Sequence, residues 1–304
     1  MEGDLGGGQY ETINMKIPAS ELILNPNGSV YHLQLLPGQV ADTVITVGDS
    51  DRVEEITKHF ESIEFTVQNR EFKTQTGSYK GKRITVISTG IGTDNIDIVL
   101  NELDAVVNID LQNREVNKEL KSLDIIRIGT SGSINQEVPL DSYLLSEMSI
   151  GFDSLMHFYD SRGVEETEAT SAFVAHTGWY SKKSEPYVIK ASQKLIDIFK
   201  SEQTKSGITA TNIGFYGPQG RVLRLPLQDP DINKKLASFS YKGLNITNME
   251  METAGIYGLS KLLGHRAVSL NALIANRVTG EFSQNPKKLV EGLIDYALER
   301  IVNV

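Results

Sequence analysis

The sequence predicts a single-domain α/β fold with a central mixed, largely parallel β-sheet flanked by helices. Short runs rich in β-branched residues alternate with segments of helical periodicity, which is typical of a sheet covered by helices. Three of these runs lead directly into glycine, as strands do where their carboxyl ends meet ligand-binding loops. The chain has 304 residues, 39% of them hydrophobic, so one domain with one large core is expected.

Three strands are predicted in the first half of the chain, at Thr43–Val47, Arg83–Ser88 and Asp124–Ile128. In open α/β sheets, ligands bind in the crevice beyond the carboxyl ends of the strands. We therefore expect the three glycine-containing segments that follow these strands to form one composite pocket.

Two helices are predicted after prolines, which favour the first turn of a helix. Pro186 and Pro286 each open a segment whose apolar residues recur at helical spacing. These residues are Ile189, Leu195, Ile196 and Phe199 in the first segment, and Leu289, Leu293, Ala297 and Ile301 in the second. Both stripes, and Trp179, are interpreted as core packing.

A flexible N-terminal leader is predicted for residues 1–29 and the folded domain for residues 30–304. Met1–Tyr10 is rich in glycine and carries acidic residues, and it lacks the apolar stretch of a signal peptide. No window approaches the ~20 consecutive apolar residues of a membrane helix, so no membrane partner is expected.

Charge and cysteine content exclude several functional classes. Lys and Arg number 30 against 39 Asp and Glu, a formal net charge of -9, which argues against a nonspecific nucleic-acid surface. The chain has no cysteine, so disulfides, thiolate metal sites and cysteine nucleophiles are excluded and a cytoplasmic location is expected. No metal site is predicted, because the histidines other than His32 lack metal-like spacing; they are His59, His157, His176 and His265.

The first strand leads into a segment that suits an anion. A tight turn at Gly48 precedes a predicted helix start, where backbone N–H groups converge, and Arg52 adds a guanidinium fork for phosphate oxygens. The alternative is an ordinary strand-to-helix turn in which Asp49 or Asp51 caps the helix and Arg52 is solvated.

The third strand leads into a stronger candidate for phosphate binding. Arg127 precedes two glycines and three hydroxyl residues within Gly129–Ser133. Glycines let the backbone approach a ligand, and the hydroxyls and the guanidinium can share phosphate oxygens. The alternative is a glycine-rich hairpin or loop beside an arginine that pairs with a carboxylate.

The middle segment, Ser88–Asn95, does not support a dinucleotide site. Asn95 stands where the third glycine of G-x-G-x-x-G is required, and the chain contains no Walker A sequence. Nucleotide-cofactor hypotheses therefore lose their best support.

Phe215–Arg221 predicts a site for a flat polar ring. An aromatic residue and a Gly-Pro turn precede Gln219 and Arg221, which can present an amide and a guanidinium to one ring edge, such as that of uracil. Further along, Glu250 and Glu252 supply two carboxylates; the alternative for these two is the start of a solvated helix.

The ordered set of motifs resembles the nucleoside phosphorylase family, and within it the branch that acts on uridine. The set comprises Gly48–Val53, Thr89–Gly92, Arg127–Gly132, Phe215–Arg221 and Glu250–Glu252, and the resemblance covers Tyr31 to the C-terminus. It implies a catalytic domain over residues 30–304 that cleaves uridine by phosphorolysis to uracil and ribose 1-phosphate. The implied partners are a nucleoside and inorganic phosphate.

The resemblance also implies a role for each site residue. Phosphate would be held by Gly48, Arg52, Arg127 and Thr130, joined by Arg70 of a neighbouring subunit. Ribose would be held by Met251 and Glu252, with His32 reaching the 5′-hydroxyl across the subunit interface. The base would be held by Phe215, Gln219 and Arg221, with Ile274 and Ala275 lining the pocket and Arg277 near its mouth. The catalytic groups would be Arg221, Glu252 and Arg127, in a homo-oligomer, hexamer or dimer, with shared active sites.

Two departures from the family pattern concern phosphate and cations. Ser50 replaces the proline usual after Gly-Asp, and Asp94 adds a negative charge near the expected phosphate site. Some relatives hold a monovalent cation at positions matching Glu71 and Ile91, but the adjoining Gly-Pro-Ser stretch is replaced by Thr93–Asn95. The sequence leaves this cation open and predicts no other cofactor, with inorganic phosphate as a co-substrate.

Three alternative functions remain at this point. A purine nucleoside phosphorylase shares the implied fold, but such relatives usually have Ser-Asp where this chain has Asn276 and Arg277. A hydrolytic nucleosidase also shares it, but an enzyme that uses water has less need for Arg52 together with Arg127. The third is a nucleoside-binding protein without turnover.

Overall fold

The computed structural model describes residues 16–304, and most of its strands join one 12-stranded sheet. The strands are β1 (Thr43–Val47), β2 (Ser62–Asn69), β3 (Phe72–Tyr79), β4 (Lys82–Ser88), β5 (Ile109–Asp110), β6 (Glu115–Val116), β7 (Asp124–Ser133), β8 (Tyr143–Gly151), β9 (Tyr187–Lys190), β10 (Thr204–Thr211), β11 (Ser240–Tyr241), β12 (Leu244–Glu250), β13 (Arg266–Asn276) and β14 (Glu281–Phe282). The helices are α1 (Ser50–Thr57), α2 (Thr93–Asn108), α3 (Thr167–Thr177), α4 (Gln193–Phe199), α5 (Ile232–Ala237), α6 (Thr253–Leu262) and α7 (Pro286–Ile301), with short 3₁₀ turns at Leu155–Phe158 and Gly217–Gln219.

The predicted α/β fold with a mixed central sheet is confirmed. The path of the sheet is β11-β12-β10-β8-β13-β7-β1-β4-β3-β2, with β9 and β14 paired to β8 and β13. The centre, β13-β7-β1-β4, is parallel, whereas β8–β13 and the β4-β3-β2 edge are antiparallel. Every residue of β1 is buried, as expected for a strand covered on both faces.

Helices pack on this sheet through their apolar stripes. Helices α6 and α7 both contact β13, and α2 packs against α6. The start predicted for α7 is confirmed, because Pro286 is its first residue and the Asn285 side chain accepts a hydrogen bond from the Lys288 N–H. The last helix thereby buries Leu293, Ala297 and Ile301, and Leu289 is partly buried.

The predicted helix after Pro186 is wrong in its first half. Tyr187–Lys190 forms β9, which pairs antiparallel with β8, and the helix begins only at Gln193. The segment contains two β-branched residues, Val188 and Ile189, and both are buried in the sheet. Sheet pairing therefore overrides the helical spacing up to Lys190.

The packed structure begins before the boundary predicted at residue 30. Leu22 and Ser29 are buried, and the Ile17 N–H donates to the Arg114 carbonyl at 2.8 Å. The glycine-rich stretch Met1–Tyr10, predicted to be flexible, lies outside the described residues. Within residues 16–304, no helix is long and apolar enough to cross a lipid bilayer.

Candidate active site

A cavity of about 860 Å³ lies where the carboxyl ends of β1, β4 and β12 meet the later residues of β7 and β13. The composite pocket expected from the strand-to-glycine junctions is therefore confirmed. Most of the predicted site residues line it, namely Gly48, Arg52, Arg127, Thr130, Phe215, Gln219, Arg221, Met251, Glu252, Ile274 and Ala275. No group of three or more histidine, aspartate or glutamate side chains in residues 16–304 is arranged to hold a metal ion.

The segment after Arg127 is strand, which corrects its interpretation as a glycine-rich loop. Strand β7 continues through Ser133 because β13 pairs with it as far as Asn276 opposite Ser133. Gly129 lets the Arg127 side chain fold back along this strand, since a Cβ at position 129 would overlap the guanidinium. The glycine therefore allows the arginine to reach its partners.

Strand β13 enters the cavity through a β-bulge. Its register against β7 shifts between Leu273 and Ala275, and both Ile274 and Ala275 line the cavity. Successive side chains of a regular strand point to opposite faces, and a bulge breaks this alternation. The irregularity therefore accounts for two consecutive residues facing one pocket.

One end of the cavity presents an unsatisfied cation. Asp49 caps α1, as one of the alternatives predicted, by accepting from the Asp51 N–H at 3.0 Å. Arg52 is half-buried rather than solvated, and its buried Nε has no hydrogen-bond partner among the described residues. Burial, followed by the positive charge of Arg127, lowers the pKa of Arg52. An anion bound at this end would stabilise the charge of the buried Arg52 guanidinium and offset its repulsion by Arg127.

Arg127 lies between carboxylates at the centre of the cavity. Its Nη2 is 2.6 Å from Glu252 Oε2 and 3.1 Å from Glu250 Oε2, and its Nη1 donates to Asn271 Oδ1 at 2.9 Å. The alternative of an arginine paired with carboxylates therefore describes this structure. A guanidinium has five N–H donors, so these three contacts still leave donors for a ligand oxygen.

Glu250 and Glu252 are buried, which rules out the solvated helix start. Glu250 ends β12 and accepts hydrogen bonds from Thr211 Oγ1 and from the N–H groups of Glu252 and Thr253. Glu252 precedes α6 and accepts from the Gly92 N–H at 2.9 Å. Burial and the charge of Glu250 raise the pKa of Glu252 against the opposing charge of Arg127.

The other end of the cavity carries guanidinium groups without carboxylates. Arg221 lies 3.9 Å from the centre of the Phe215 ring and donates to Gln219 Oε1 at 2.6 Å. Arg277, next to the cavity, donates to the carbonyl oxygens of Gln219 and Gly220. Burial and the charge of Arg221 lower the pKa of Arg277 to about 10. No carboxylate of the described chain offsets these two charges.

His32 and Arg70 do not line this cavity, as expected if they serve a neighbouring subunit. The His32 Nδ1 is 2.6 Å from Glu102 Oε1, so Nε2 is the ring nitrogen left for another partner. The Asn69 side chain donates to the His32 carbonyl at 2.8 Å, so His32 and the turn at Arg70 belong to one surface. Arg70 itself is exposed.

A side-chain amide contacts one of the residues that match the relatives' cation position. Asn95 Nδ2 donates to Glu71 Oε1 at 3.2 Å, and both residues line the cavity with Ile91. Asp94 is exposed and does not line the cavity. The negative charge expected near the phosphate end is therefore not part of the cavity lining.

Several residues that line the cavity or contact its central arginine escaped sequence reasoning. Asn271 lies 144 residues from Arg127 in the chain, and no local pattern marks it as a partner. Glu250 carried a misleading signal, because an acidic residue before a helix usually faces solvent. Phe282 lines the cavity from the short strand β14 while remaining exposed. Its position depends on the pairing of Ala275 with Phe282.

Comparisons with known proteins found a matching family model and several similar proteins. The family model described as Phosphorylase superfamily matches residues 42–297. A uridine phosphorylase of Thermococcus kodakarensis is 29% identical, over 90% of this chain and 87% of the relative. A purine nucleoside phosphorylase of the DeoD type from Alkaliphilus metalliredigens is 28% identical, over 88% and 97%. Among solved structures, a Trypanosoma brucei nucleoside phosphorylase described as showing uridine phosphorylase activity has a TM-score of 0.84 and 30% identity, over 93% of this chain and 100% of that one.

Proposed function

Because the chain belongs to the phosphorylase superfamily, we propose that it is a pentosyltransferase that cleaves uridine with phosphate to uracil and ribose 1-phosphate. The relatives named as uridine phosphorylases support this substrate. The observation that carries it is the base end of the cavity, where Arg221 and Arg277 lie beside Gln219 without a carboxylate.

The base end suits a ring that leaves as an anion. When the N-glycosidic bond breaks, uracil departs with negative charge, and preorganised donors stabilise that charge more than the neutral ring. Because the Gln219 side-chain oxygen already accepts a hydrogen bond from Arg221, the Gln219 amide N–H is the group left to donate to a ring carbonyl. Phe215, on whose face Arg221 lies, supplies an apolar wall for the base.

The centre of the cavity holds the sugar and the nucleophile. Glu252 binds the ribose hydroxyls and supplies a negative charge near the sugar as it gains oxocarbenium character. Phosphate is held by Arg52, Arg127, Thr130 and the Gly48 backbone, and already carries charge, so these groups position it for attack. In this proposal the Arg52 guanidinium is its primary cationic contact through Nη1 and Nη2, because Nε is enclosed by protein.

Purine nucleosides are the second candidate, favoured by the DeoD-type relatives at similar identity. A purine leaving group is assisted by an acid at N7. Where such relatives usually have the aspartate, this chain has Arg277, whose guanidinium donates to the carbonyls of Gln219 and Gly220. A guanidinium keeps its protons, so this position supplies no acid for N7.

The remaining features of the proposal concern assembly and setting. We propose a homo-oligomer, hexamer or dimer, in which His32 and Arg70 complete a neighbour's site, because both lie on a surface outside their own cavity. Inorganic phosphate is the co-substrate, and the proposed reaction includes no cofactor. A role in cytoplasmic pyrimidine salvage fits the chain without cysteine.

One assay tests the proposal against its alternatives. The protein is incubated with uridine, thymidine, inosine and adenosine, each with and without phosphate, and free base is measured. We expect uridine to be cleaved and the reaction to require phosphate, with arsenate able to replace it. Faster cleavage of inosine or adenosine would favour the purine class, equal rates without phosphate would indicate a nucleosidase, and no cleavage would leave a binding protein.

A further inference from the structure

Asn271 is a buried residue of β13 whose side chain reaches Arg127, the arginine at the centre of the cavity. The Asn271 side chain is fully buried and does not line the cavity. Its Oδ1 accepts a hydrogen bond from Arg127 Nη1 at 2.9 Å. In the sheet Asn271 lies opposite Gly129, where a Cβ would overlap the guanidinium. Asn271 can therefore act on a ligand in the cavity only through Arg127.

Arg127 is held at two different nitrogen atoms. Its Nη2 lies 2.6 Å from Glu252 Oε2 and 3.1 Å from Glu250 Oε2, whereas Asn271 holds Nη1. A guanidinium is planar, so contacts at both nitrogens fix the direction of its plane. With the Nη2 contacts alone, the group could pivot about Nη2. Nη1 carries two N–H groups, and Asn271 accepts from one of them, which leaves the other for a ligand oxygen.

The carboxylates compete with a bound phosphate for this arginine. Guanidinium and carboxylate groups readily form bidentate pairs with two parallel N–H···O bonds. In such a pair both Nη atoms of Arg127 would face Glu252, and the contact with phosphate would weaken. The hydrogen bond from Arg127 Nη1 to Asn271 Oδ1 opposes that rotation.

Asn271 supplies this contact without adding negative charge. Arg127 already faces two buried carboxylates, and phosphate is itself an anion, so a third carboxylate at this position would repel it. The amide is also held in one orientation. Asn271 Nδ2 donates to Ser269 Oγ at 3.2 Å, and the Thr253 hydroxyl donates to the same oxygen at 3.0 Å. The acceptor oxygen of Asn271 therefore faces the guanidinium, which can only donate.

We propose that Asn271 is a positioning residue that aims Arg127 at phosphate, as a neutral acceptor that keeps the guanidinium from pairing bidentately with Glu252. This role rests on the phosphorolysis proposed above, because it requires phosphate beside Arg127. Gln219 and Arg221 lie at the other end of the cavity, so a change at Asn271 should affect phosphate more than the base.

Calorimetric titration of the intact protein with inorganic phosphate, together with steady-state kinetics on uridine, tests this role. Asn271→Leu removes the acceptor at similar volume. We expect its Kd and KM for phosphate to rise by at least about tenfold, as for one lost hydrogen bond to a charged group, whereas KM for uridine changes by less than about threefold. Asn108→Leu is the matched control, because Asn108 is a buried asparagine of α2 outside the cavity. It should retain the wild-type Kd for phosphate.

The variant Asn271→Asp separates positioning from a merely structural role. Aspartate has nearly the same shape and keeps the contact with Arg127, so a structural role predicts wild-type affinity for phosphate. We expect the added negative charge instead to raise the Kd for phosphate by at least about tenfold. If the leucine variant does not fold, this variant still decides.

Wild-type phosphate affinity in either Asn271 variant, or an equal loss of phosphate affinity in Asn108→Leu, would overturn the proposal. Absence of phosphate binding in the wild-type protein would overturn it together with the phosphorolysis. If phosphate binds and both Asn271 variants weaken it while uridine is not cleaved, the positioning role stands and only the proposed nucleoside substrate is wrong.

Discussion

Arg221 and Arg277, two guanidinium groups without a carboxylate partner, make the base end of the cavity positively charged. Gln219 and Arg221 could be predicted from sequence, because two residues after a Gly-Pro turn present their side chains together. The contact of Arg277 with the carbonyls of Gln219 and Gly220 depends on tertiary structure across 58 residues. The contact of Asn271 with Arg127 and the burial of Glu250 could not be predicted from sequence either, because no local pattern specifies a distant partner.

Arg221→Ala should lower kcat/KM for uridine, because the transition state loses about 2–4 kcal/mol of stabilisation. This is the range for losing one preorganised donor to a developing anion. Arg224→Ala is the matched control, because Arg224 is exposed in the same segment and does not line the cavity. Steady-state kinetics with both variants decides the point. Wild-type turnover in Arg221→Ala would remove this arginine from the base site.

Glu252 should set the acid limb of the activity profile. Burial raises its pKa above the ordinary 4.5 of a glutamate, so as pH falls it takes up a proton earlier than an exposed glutamate. If the ionised form holds ribose, kcat/KM for uridine should decline from a pH above the ordinary carboxyl range. Glu252→Gln should be slow at neutral pH and lack this limb. An unchanged acid limb in the glutamine variant would assign it to another group.

At the scale of elements, β7 is the strand on which the centre of the site depends. Its first residues could be predicted from their β-branched pattern, but its second half reads as a loop because glycine is disfavoured in strands. The second half is nevertheless strand, because β13 pairs with β7 along its whole length. The same competition between local pattern and sheet pairing explains why Tyr187–Lys190 is strand rather than helix.

Gly129→Ala should lower the free energy of unfolding by about 1–3 kcal/mol, because the new Cβ would overlap the Arg127 guanidinium. Gly132→Ala, three residues along the same strand, is the control. A Cβ there would meet nothing closer than the Ala275 carbonyl oxygen at 3.8 Å. Thermal unfolding should therefore separate the two variants. Similar melting temperatures would mean that Arg127 can move aside without loss.

At the scale of the whole molecule, the fold class and the composite pocket followed from the order of strands and glycines. Assembly does not follow from one chain. The Glu102 carboxylate nevertheless orients His32 on the surface that also carries Arg70. That surface is where we expect a second copy to bind, and a closed symmetric assembly lets every subunit both give and receive these residues.

Mixed oligomers should recover activity that neither parent has. Arg70→Ala and Glu252→Gln subunits are each expected to be nearly inactive on uridine, one for its neighbour's site and one for its own. After subunit exchange, some sites receive an intact Arg70 and an intact Glu252, so partial activity should return. Mixing Glu252→Gln with Arg221→Ala is the control, because both changes lie in the same cavity. Full activity in a monomer would contradict the shared site.

The bulge in β13 has a consequence for how such a pocket diversifies. Because Ile274 and Ala275 both face the cavity only while the strand carries one extra residue there, gaining or losing a single residue exchanges which side chains meet the base. Substitutions adjust the pocket gradually, whereas a one-residue insertion or deletion in β13 would replace its lining in one step. Among descendants of this fold, changes of base preference should therefore coincide with small length differences in this strand.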